Sequence, residues 1–167
     1  RKGIMESKVD RVQKNSFGTP IVIDKSIKIF APATIANVVC GFDVLGLALN
    51  DPCDIMQLTL TKEPGIKITH KDIYQLPTIP EQNVAGVSLL ELMQELEHPY
   101  GFDLIIEKQI KPGSGLGSSA ASAAGAVFAA NNLLGNIFSK EDLVRFAMAG
   151  DKLASGVKHA SNISPGI

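Results

Sequence analysis

The sequence predicts an α+β fold in which one layer of strands packs on one layer of helices. Two observations lead to this prediction. Segments that alternate like strands interleave with segments of helical periodicity, and some neighbouring strand segments are joined only by a short turn. Such turns favour hairpins, whereas a doubly wound parallel sheet needs a helix between consecutive strands. The length of 167 residues is about that of one domain.

The strand segments are rich in β-branched residues and end at turn residues. Pro32 is expected to end the first of them, and a short turn at 63–65 predicts a hairpin between the second and the third. In chain order the predicted strands are 26–33, 53–62, 66–70 and 102–110.

Three helices are predicted, at 83–96, 118–134 and 139–154. Asn83 and Ser139 are residue types that cap helix N-termini, and Gly135 is placed to end the second helix. Residues 1–25 are polar and lack the aliphatic pattern of the rest of the chain. We therefore predict an N-terminal extension at 1–25 and a domain at 26–167.

The composition excludes several classes of protein. A net charge of -1 gives no electrostatic basis for binding nucleic acid or an anionic membrane surface. No apolar run is long enough to cross a bilayer, and the N-terminus has no signal-peptide pattern. Two cysteines, Cys40 and Cys53, are too few for a disulfide scaffold or a cysteine-rich metal site, and they suit the cytoplasm.

The segment KPGSGLGSSAASAAG, at 111–125, places a glycine-rich loop between a strand and a helix, where backbone N–H groups bind phosphate. It is not a P-loop, because no lysine follows the glycines. Gly115, Gly117 and Ala120 fit the looser dinucleotide fingerprint, but the segment after the helix reads as a further helix instead of the expected second strand. A tightly packed turn without a ligand is the plain structural alternative.

The longer run IKPGSGLGSSAASA resembles the ATP-binding signature of the GHMP kinases, which include galactokinase, homoserine kinase and mevalonate kinase. The resemblance implies a fold like domain 2 of ribosomal protein S5, ATP and Mg²⁺ as cofactors, and Ser119 as the serine on the metal side. It assigns the ATP phosphates to Lys111, Pro112, Gly113, Ser114, Gly115, Leu116, Gly117, Ser118 and Ser119. Asn83 and Lys108 are weaker candidates for the base or ribose, since a helix cap and a strand-edge lysine explain them nearly as well.

Two further segments resemble homoserine kinases in particular. APATIANVVCGFDVLGLAL, at 31–49, matches their first motif, and the acidic segment of galactokinases is missing there. By resemblance Asn37 and Asp43 face the amino-acid substrate, with Asp43 pairing its ammonium group. Taken alone, the two residues would be read as a turn asparagine and a capping aspartate.

The last segment, GDKLASGVKHASNISPGI, keeps the spacing of an acidic residue, a histidine and an asparagine seen in homoserine kinases. The resemblance implies that Asp151 is a catalytic metal ligand, where glutamate is usual, and that His159 binds the substrate. Asn162 would face the reacting hydroxyl and orient it, because an amide is no base at neutral pH. His70 and His98 lie in polar surroundings and are assigned no role.

The resemblance covers residues 25–167 and implies a kinase that phosphorylates the side-chain hydroxyl of L-homoserine, using ATP, for threonine biosynthesis. Members of the family run to about 300 residues, a two-domain length, so we expect the chain to be the nucleotide-binding half, without the C-terminal domain. The alternatives are a truncated, non-catalytic nucleotide-binding domain and another small-molecule GHMP kinase. Homodimers are common in the family, and this chain is compatible with one.

Overall fold

The computed structural model describes residues 12–14, 18–36, 46–155, 163 and 167. The strands are β1 (Val12–Lys14), β2 (Pro20–Val22), β3 (Ser26–Ala36), β4 (Gly46–Thr61), β5 (Gly65–His70) and β6 (Gly101–Glu107). The helices are α1 (Val84–Gln94), α2 (Ser118–Leu133) and α3 (Lys140–Ser155), with a 3₁₀ turn at Pro80–Gln82 before α1. No helix among these residues is long and apolar enough to cross a membrane.

The main sheet has the order β3-β4-β6-β5, with antiparallel β3–β4 and β4–β6 pairs and a parallel β6–β5 pair. The predicted hairpin is therefore wrong, because β6 lies between β4 and β5. The turn at 63–65 does reverse the chain, but α1 then carries it across and returns β6 parallel to β5. A parallel pair needs such a crossover, and the local turn signal does not contain that information.

The predicted end of the first strand is also wrong. β3 continues through Pro32 to Ala36, and its pairing with β4 shifts register between Pro32 and Thr34. Proline is compatible with this strand because β3 lies at the edge of the sheet, where N–H groups that face away from β4 have no partner strand.

The sheet and the helices form the predicted two-layer α+β arrangement. Met56, Leu58 and Leu60 alternate along β4 on one face of the sheet and are at most 1% exposed. The helix α2 packs closely on that face, because a Cβ atom on Gly125 would lie 2.6 Å from Met56 Sδ. Glycine thus allows the middle of α2 to approach the sheet closely.

The helix predictions agree with the structure to within two residues at each end. Asn83 caps α1, and its Oδ1 accepts hydrogen bonds from the N–H groups of Ala85 and Gly86 at 3.0 and 3.3 Å. Ser139 precedes α3, and its Oγ accepts from Asp142 N at 3.2 Å. Gly135 follows α2 with φ +85°, the left-handed conformation typical of a helix C-terminus.

Part of the segment before residue 26 forms strands and packs into the core. Residues Pro20–Val22 pair with Val12–Lys14, and Ile21 and Ile23 belong to the core at 1% and 5% exposure. The chain is tied to β4 at this point, because Asp24 N donates to Leu60 O at 2.9 Å. Packing therefore begins before residue 26, whereas residues 1–11 and 15–17 lie outside the described residues.

Candidate functional site

The glycine loop between β6 and α2 has the backbone that its sequence predicts. Gly113, Gly115 and Gly117 have φ values of +75°, +79° and +64°, all in the left-handed region that L side chains rarely adopt. Alternating glycines thus let the loop fold back on itself without the strain that a Cβ atom would add.

The end of the loop rests against the edge strand β3. Thr34 N donates to Leu116 O at 3.0 Å, and a Cβ atom on Gly117 would lie 2.2 Å from Thr34 Oγ1. Gly117 is therefore required twice, once for its positive φ and once for the close approach of Thr34. The contact fixes where α2 begins.

The first turn of α2 has no side-chain cap. Its N-cap residue is Gly117, which has no side-chain oxygen, whereas Asn83 and Ser139 cap the other two helices. The first N–H groups of a helix have no partner within it, and the helix dipole adds partial positive charge at this end. An anion is the natural partner of such a terminus when a glycine loop leads into it.

Ser119 and Asp151 meet beside this terminus. Ser119 Oγ donates to Asp151 Oδ1 at 2.6 Å, and Asp151 is 6% exposed. A hydroxyl and a carboxylate are hard oxygen donors of the kind that hold Mg²⁺, which usually takes one or two carboxylates and completes its shell with water and phosphate oxygens. The pair fits that ion, although no group of three or more His, Cys, Asp or Glu side chains converges among the described residues.

A cavity of about 520 Å³ opens in front of the loop and the helix terminus. This volume is typical of a small-molecule or cofactor site. One wall is polar and carries Ser118, Ser119 and Asp151. The lining also has an apolar part, which is made by Leu76, Pro77, Val84, Ile106, Leu153 and Ala154. An apolar slot beside an anion-binding terminus suits a ligand with a flat ring at one end and phosphate at the other.

Lys108 lines the cavity, but its ammonium group is occupied by the protein. Its Nζ forms an ion pair with Asp54 and donates to Ser118 O and Ser122 Oγ at 2.7 and 2.8 Å. Burial lowers the pKa of Lys108, and the Asp54 carboxylate opposes that shift. Three acceptors use its three N–H protons. The predicted contact of Lys108 with the base or ribose stays a prediction, and this ammonium would have to exchange one of these hydrogen bonds to make it.

Asn83 also lines the cavity, and its amide is likewise occupied. Besides the two N–H groups that its oxygen caps, its Nδ2 donates to Pro77 O at 2.7 Å and to His70 Nε2 at 3.1 Å. The side chain has two donors and two acceptor sites, and all are used. Asn83 therefore caps α1 while it lines the cavity, and its predicted contact with the base or ribose stays a prediction.

His70 belongs to the cavity wall, which the sequence did not indicate. Its Nδ1 lies 3.1 Å from Asp72 Oδ2, an arrangement that puts the ring proton on Nδ1 and leaves Nε2 to accept from Asn83. Burial favours protonation of Asp72, but hydrogen bonds from Tyr74 N, His70 and Lys108 N outweigh it and lower the Asp72 pKa. The sequence signal that could have indicated this pair is the placement of His70 and Asp72 two positions apart at the end of a strand.

The other predicted site residues are only partly brought together. Pro112, Gly113, Gly115, Gly117, Ser118 and Ser119 line the cavity with Asp151. Lys111, Ser114 and Leu116 do not line it; Ser114 Oγ accepts from Leu116 N at 3.4 Å within the loop itself. Asn37, Asp43, His159 and Asn162 lie outside the described residues.

A strand, a glycine loop, an uncapped helix terminus and a nearby serine–carboxylate pair together form a site that suits a ligand carrying phosphate. The model of one protein family, the GHMP kinases N terminal domain, matches residues 83–167, which include the loop, α2 and α3. The chain belongs to this family.

Curated proteins that are similar to this chain agree with that assignment. The homoserine kinase of Methanococcus vannielii is 43% identical over 145 residues, which are 86% of this chain and 48% of that protein. The homoserine kinase of Chlorobium phaeobacteroides is 41% identical over 155 residues, with the same coverage. The chain therefore spans about half the length of the curated relatives it matches.

Solved structures share the fold. The crystal structure of homoserine kinase from Cytophaga hutchinsonii superposes with a TM-score of 0.77 at 46% identity, over 84% of this chain and 45% of that one. The L. major mevalonate kinase in complex with R-mevalonate has a TM-score of 0.66 at 15% identity, over 87% of this chain and 48% of that one. The second likeness shows the fold alone.

Proposed function

We propose that the protein transfers the terminal phosphoryl group of ATP to the side-chain hydroxyl of L-homoserine, giving O-phospho-L-homoserine and ADP. The observation that carries the nucleotide part is the uncapped N-terminus of α2, which opens with the glycine loop into a cavity of about 520 Å³. The choice of homoserine is supported by relatives named homoserine kinase at 40–43% identity.

In this proposal the chain binds the phosphates mainly through backbone donors. The N–H groups of the loop and of the first turn of α2 face the phosphate oxygens, and the helix dipole adds to their attraction. The apolar wall formed in part by Val84, Ile106 and Leu153 receives the base. Phosphoryl transfer depends largely on positioning and charge stabilisation, so donors fixed in the backbone are suited to it.

Ser119 and Asp151 would hold the Mg²⁺ ion of the nucleotide. When bound, the ion neutralises the phosphate charge that develops during transfer. Ser119 Oγ would exchange its hydrogen bond to Asp151 for the metal, and Asp151 would provide the negative charge. Both groups already lie on the cavity wall, so neither needs to cross the site.

The acceptor side of the proposal rests on sequence. Asp43 would pair the ammonium group of homoserine, and Asn37 and His159 would contact the rest of the amino acid. Asn162 would orient the hydroxyl without removing its proton. The low number of cysteines is consistent with a cytoplasmic protein, and a homodimer is compatible with this proposal.

Steady-state turnover of the whole protein tests the proposal. ADP release should require L-homoserine, ATP and Mg²⁺ together, and mass spectrometry should find phosphate on the homoserine side chain. Mevalonate and galactose serve as competing acceptors, because solved kinases of both kinds share the fold. Turnover with either of these and none with homoserine would show another small-molecule kinase, and ATP binding without any turnover would show a non-catalytic nucleotide-binding protein.

A further inference from the structure

A set of buried polar side chains at the base of the cavity joins the two ends of the glycine loop. We call Asp54, Lys108, Ser118 and Ser122 the loop clamp. Asp54 is 0% exposed and the other three are 6–8% exposed, so all four have given up most of their contact with water. Such burial is costly unless every donor and acceptor is paired.

The clamp holds the beginning of the loop through Asp54. Its Oδ1 accepts hydrogen bonds from the backbone N–H groups of Gln109 and Ile110, both at 2.9 Å, and its Oδ2 accepts from Lys108 Nζ. A carboxylate that accepts from two successive N–H groups fixes the direction of the chain at that point. The chain therefore leaves β6 for the loop along a defined path.

The clamp holds the end of the loop through Lys108. Its ammonium donates to Ser118 O and Ser122 Oγ, both in the first two turns of α2. Ser118 Oγ in turn donates to Ile110 O at 2.9 Å, closing the loop across its base. The start of the loop and the start of α2 are thus connected by one network centred on a buried ion pair.

We propose that Asp54 and Lys108 are positioning residues for phosphate recognition, and that Lys108 acts through the loop and makes no contact with the nucleotide. This inference rests on the nucleotide part of the proposed function. A loop with three left-handed glycines has high conformational entropy when its ends are free. Fixing both ends before binding lowers the ordering cost that a phosphate ligand must overcome.

The charge balance supports a positioning role. The Lys108 ammonium is neutralised by Asp54, and its protons all point at protein acceptors, so little of its charge remains for a ligand. In a P-loop the lysine reaches the phosphates directly; here the lysine precedes the glycines and the backbone N–H groups recognise the anion. Replacing Lys108 should therefore affect the phosphate end of a ligand through the loop and leave the base end unchanged.

Calorimetric titration of the whole protein with ADP and with adenosine tests this inference. For Lys108→Met we expect ADP affinity to fall at least about tenfold, as for a lost charge-assisted hydrogen bond, with adenosine affinity within about twofold of wild type. The exposed lysine of β5 provides the matched control, Lys67→Met, which should leave both affinities unchanged. Equal losses for ADP and adenosine, or no loss for either, would overturn the inference.

A second variant covers the case in which Lys108→Met fails to fold because it leaves the Asp54 carboxylate buried without its cation. The double substitution Asp54→Asn with Lys108→Met removes both charges, and an asparagine oxygen can still accept from Gln109 N and Ile110 N. We again expect a lower affinity for ADP and a nearly unchanged affinity for adenosine. Ser122→Ala removes one acceptor and suits an alanine-rich helix, so it provides a third, mild perturbation that should fold.

Hydrogen exchange of the loop amides gives a readout that needs no nucleotide. Exchange in residues 113–117 should be faster in the clamp variants, Ser122→Ala included, while exchange in the core strand β4 stays slow. Unchanged exchange in the loop would overturn the inference. If the wild-type protein bound neither ADP nor adenosine, the proposed function would fail, and the exchange measurement would still decide whether the clamp orders the loop.

Discussion

Ser119 Oγ donates a hydrogen bond to Asp151 Oδ1 at 2.6 Å, and this contact joins the first turn of α2 to α3 at the wall of the cavity. The two residues are 32 positions apart in the chain. They are brought together because α2 and α3 pack against each other. The position of α3 is also fixed on its α1 side, where a Cβ atom on Gly150 would lie 2.1 Å from Ser88 Oγ. Helix packing therefore sets the distance between the two metal-binding candidates.

Ser119→Ala should lower kcat with little loss of stability. The substitution removes a proposed Mg²⁺ ligand, so we expect kcat to fall at least about tenfold and the Mg²⁺ concentration for half-maximal rate to rise. Loss of one hydrogen bond should cost only about 1 kcal/mol of the free energy of unfolding. The control is Ser26→Ala, which also removes one side-chain hydrogen bond, to Thr59 Oγ1 at 2.6 Å, on the edge strand. A wild-type rate and Mg²⁺ dependence in Ser119→Ala would contradict the metal role.

The contribution of Asp151 to kcat should depend more on the charge of its side chain than on its length. Asp151→Asn is expected to reduce kcat at least about tenfold, because a neutral amide holds Mg²⁺ weakly. Asp151→Glu keeps the charge and introduces the residue usual in the family it resembles, so it should retain most of the activity. Turnover at several Mg²⁺ concentrations measures both effects. The control Asp103→Asn changes a carboxylate of β6 that does not line the cavity; activity in Asp151→Asn equal to that control would count against a metal ligand here.

Gly117→Ala should destabilise the protein more than Gly113→Ala. Both glycines have positive φ, and an alanine in that conformation costs about 1–2 kcal/mol. At Gly113 no atom lies within 4 Å of an added Cβ, whereas at Gly117 Thr34 Oγ1 lies 2.2 Å away. The clash should add about 1–3 kcal/mol. Urea unfolding of the two variants measures the difference, and equal destabilisation would mean that the loop does not rest on β3 as described.

The local features of the fold could be predicted from the sequence, and its long-range pairing could not. Asn83, Ser139 and Gly135 mark helix ends because capping depends on residues within a few positions of the cap. The insertion of β6 between β4 and β5 depends on where α1 packs, and no turn residue records it. Pro32 ends a strand only where its missing N–H faces a neighbour, which depends on sheet order.

In the candidate site, too, contiguous motifs could be predicted from the sequence and long-range contacts could not. The glycine loop and Ser119 were predicted because the motif is contiguous, and the structure places them on the cavity. Lys108 and Asn83 were predicted as ligand contacts, but their partners, Asp54 and His70, are distant in sequence. Whether a polar side chain is free for a ligand depends on such partners, so sequence could indicate that these residues lie near the site and not what they contact.

Asp72→Asn should lower stability near neutral pH and lose that effect in acid. The folded protein holds the Asp72 pKa below its ordinary value of 3.8, so its ionised form is the one stabilised by folding. That contribution is fully present above pH 3.8 and disappears as the pH falls through the lower, folded pKa. An asparagine keeps the shape but not the charge, so we expect a deficit of about 1–3 kcal/mol near neutral pH.

Urea unfolding of wild type and Asp72→Asn as a function of pH measures this deficit. The gap between the two should be constant from neutral pH down to about pH 5 and should narrow below pH 3.8. Glu107→Gln, an exposed carboxylate at the end of β6, is the control and should show a gap within about 0.5 kcal/mol of zero. A gap that widens in acid would mean that folding favours the protonated carboxyl group of Asp72, and the network with His70 and Lys108 N would then be wrong.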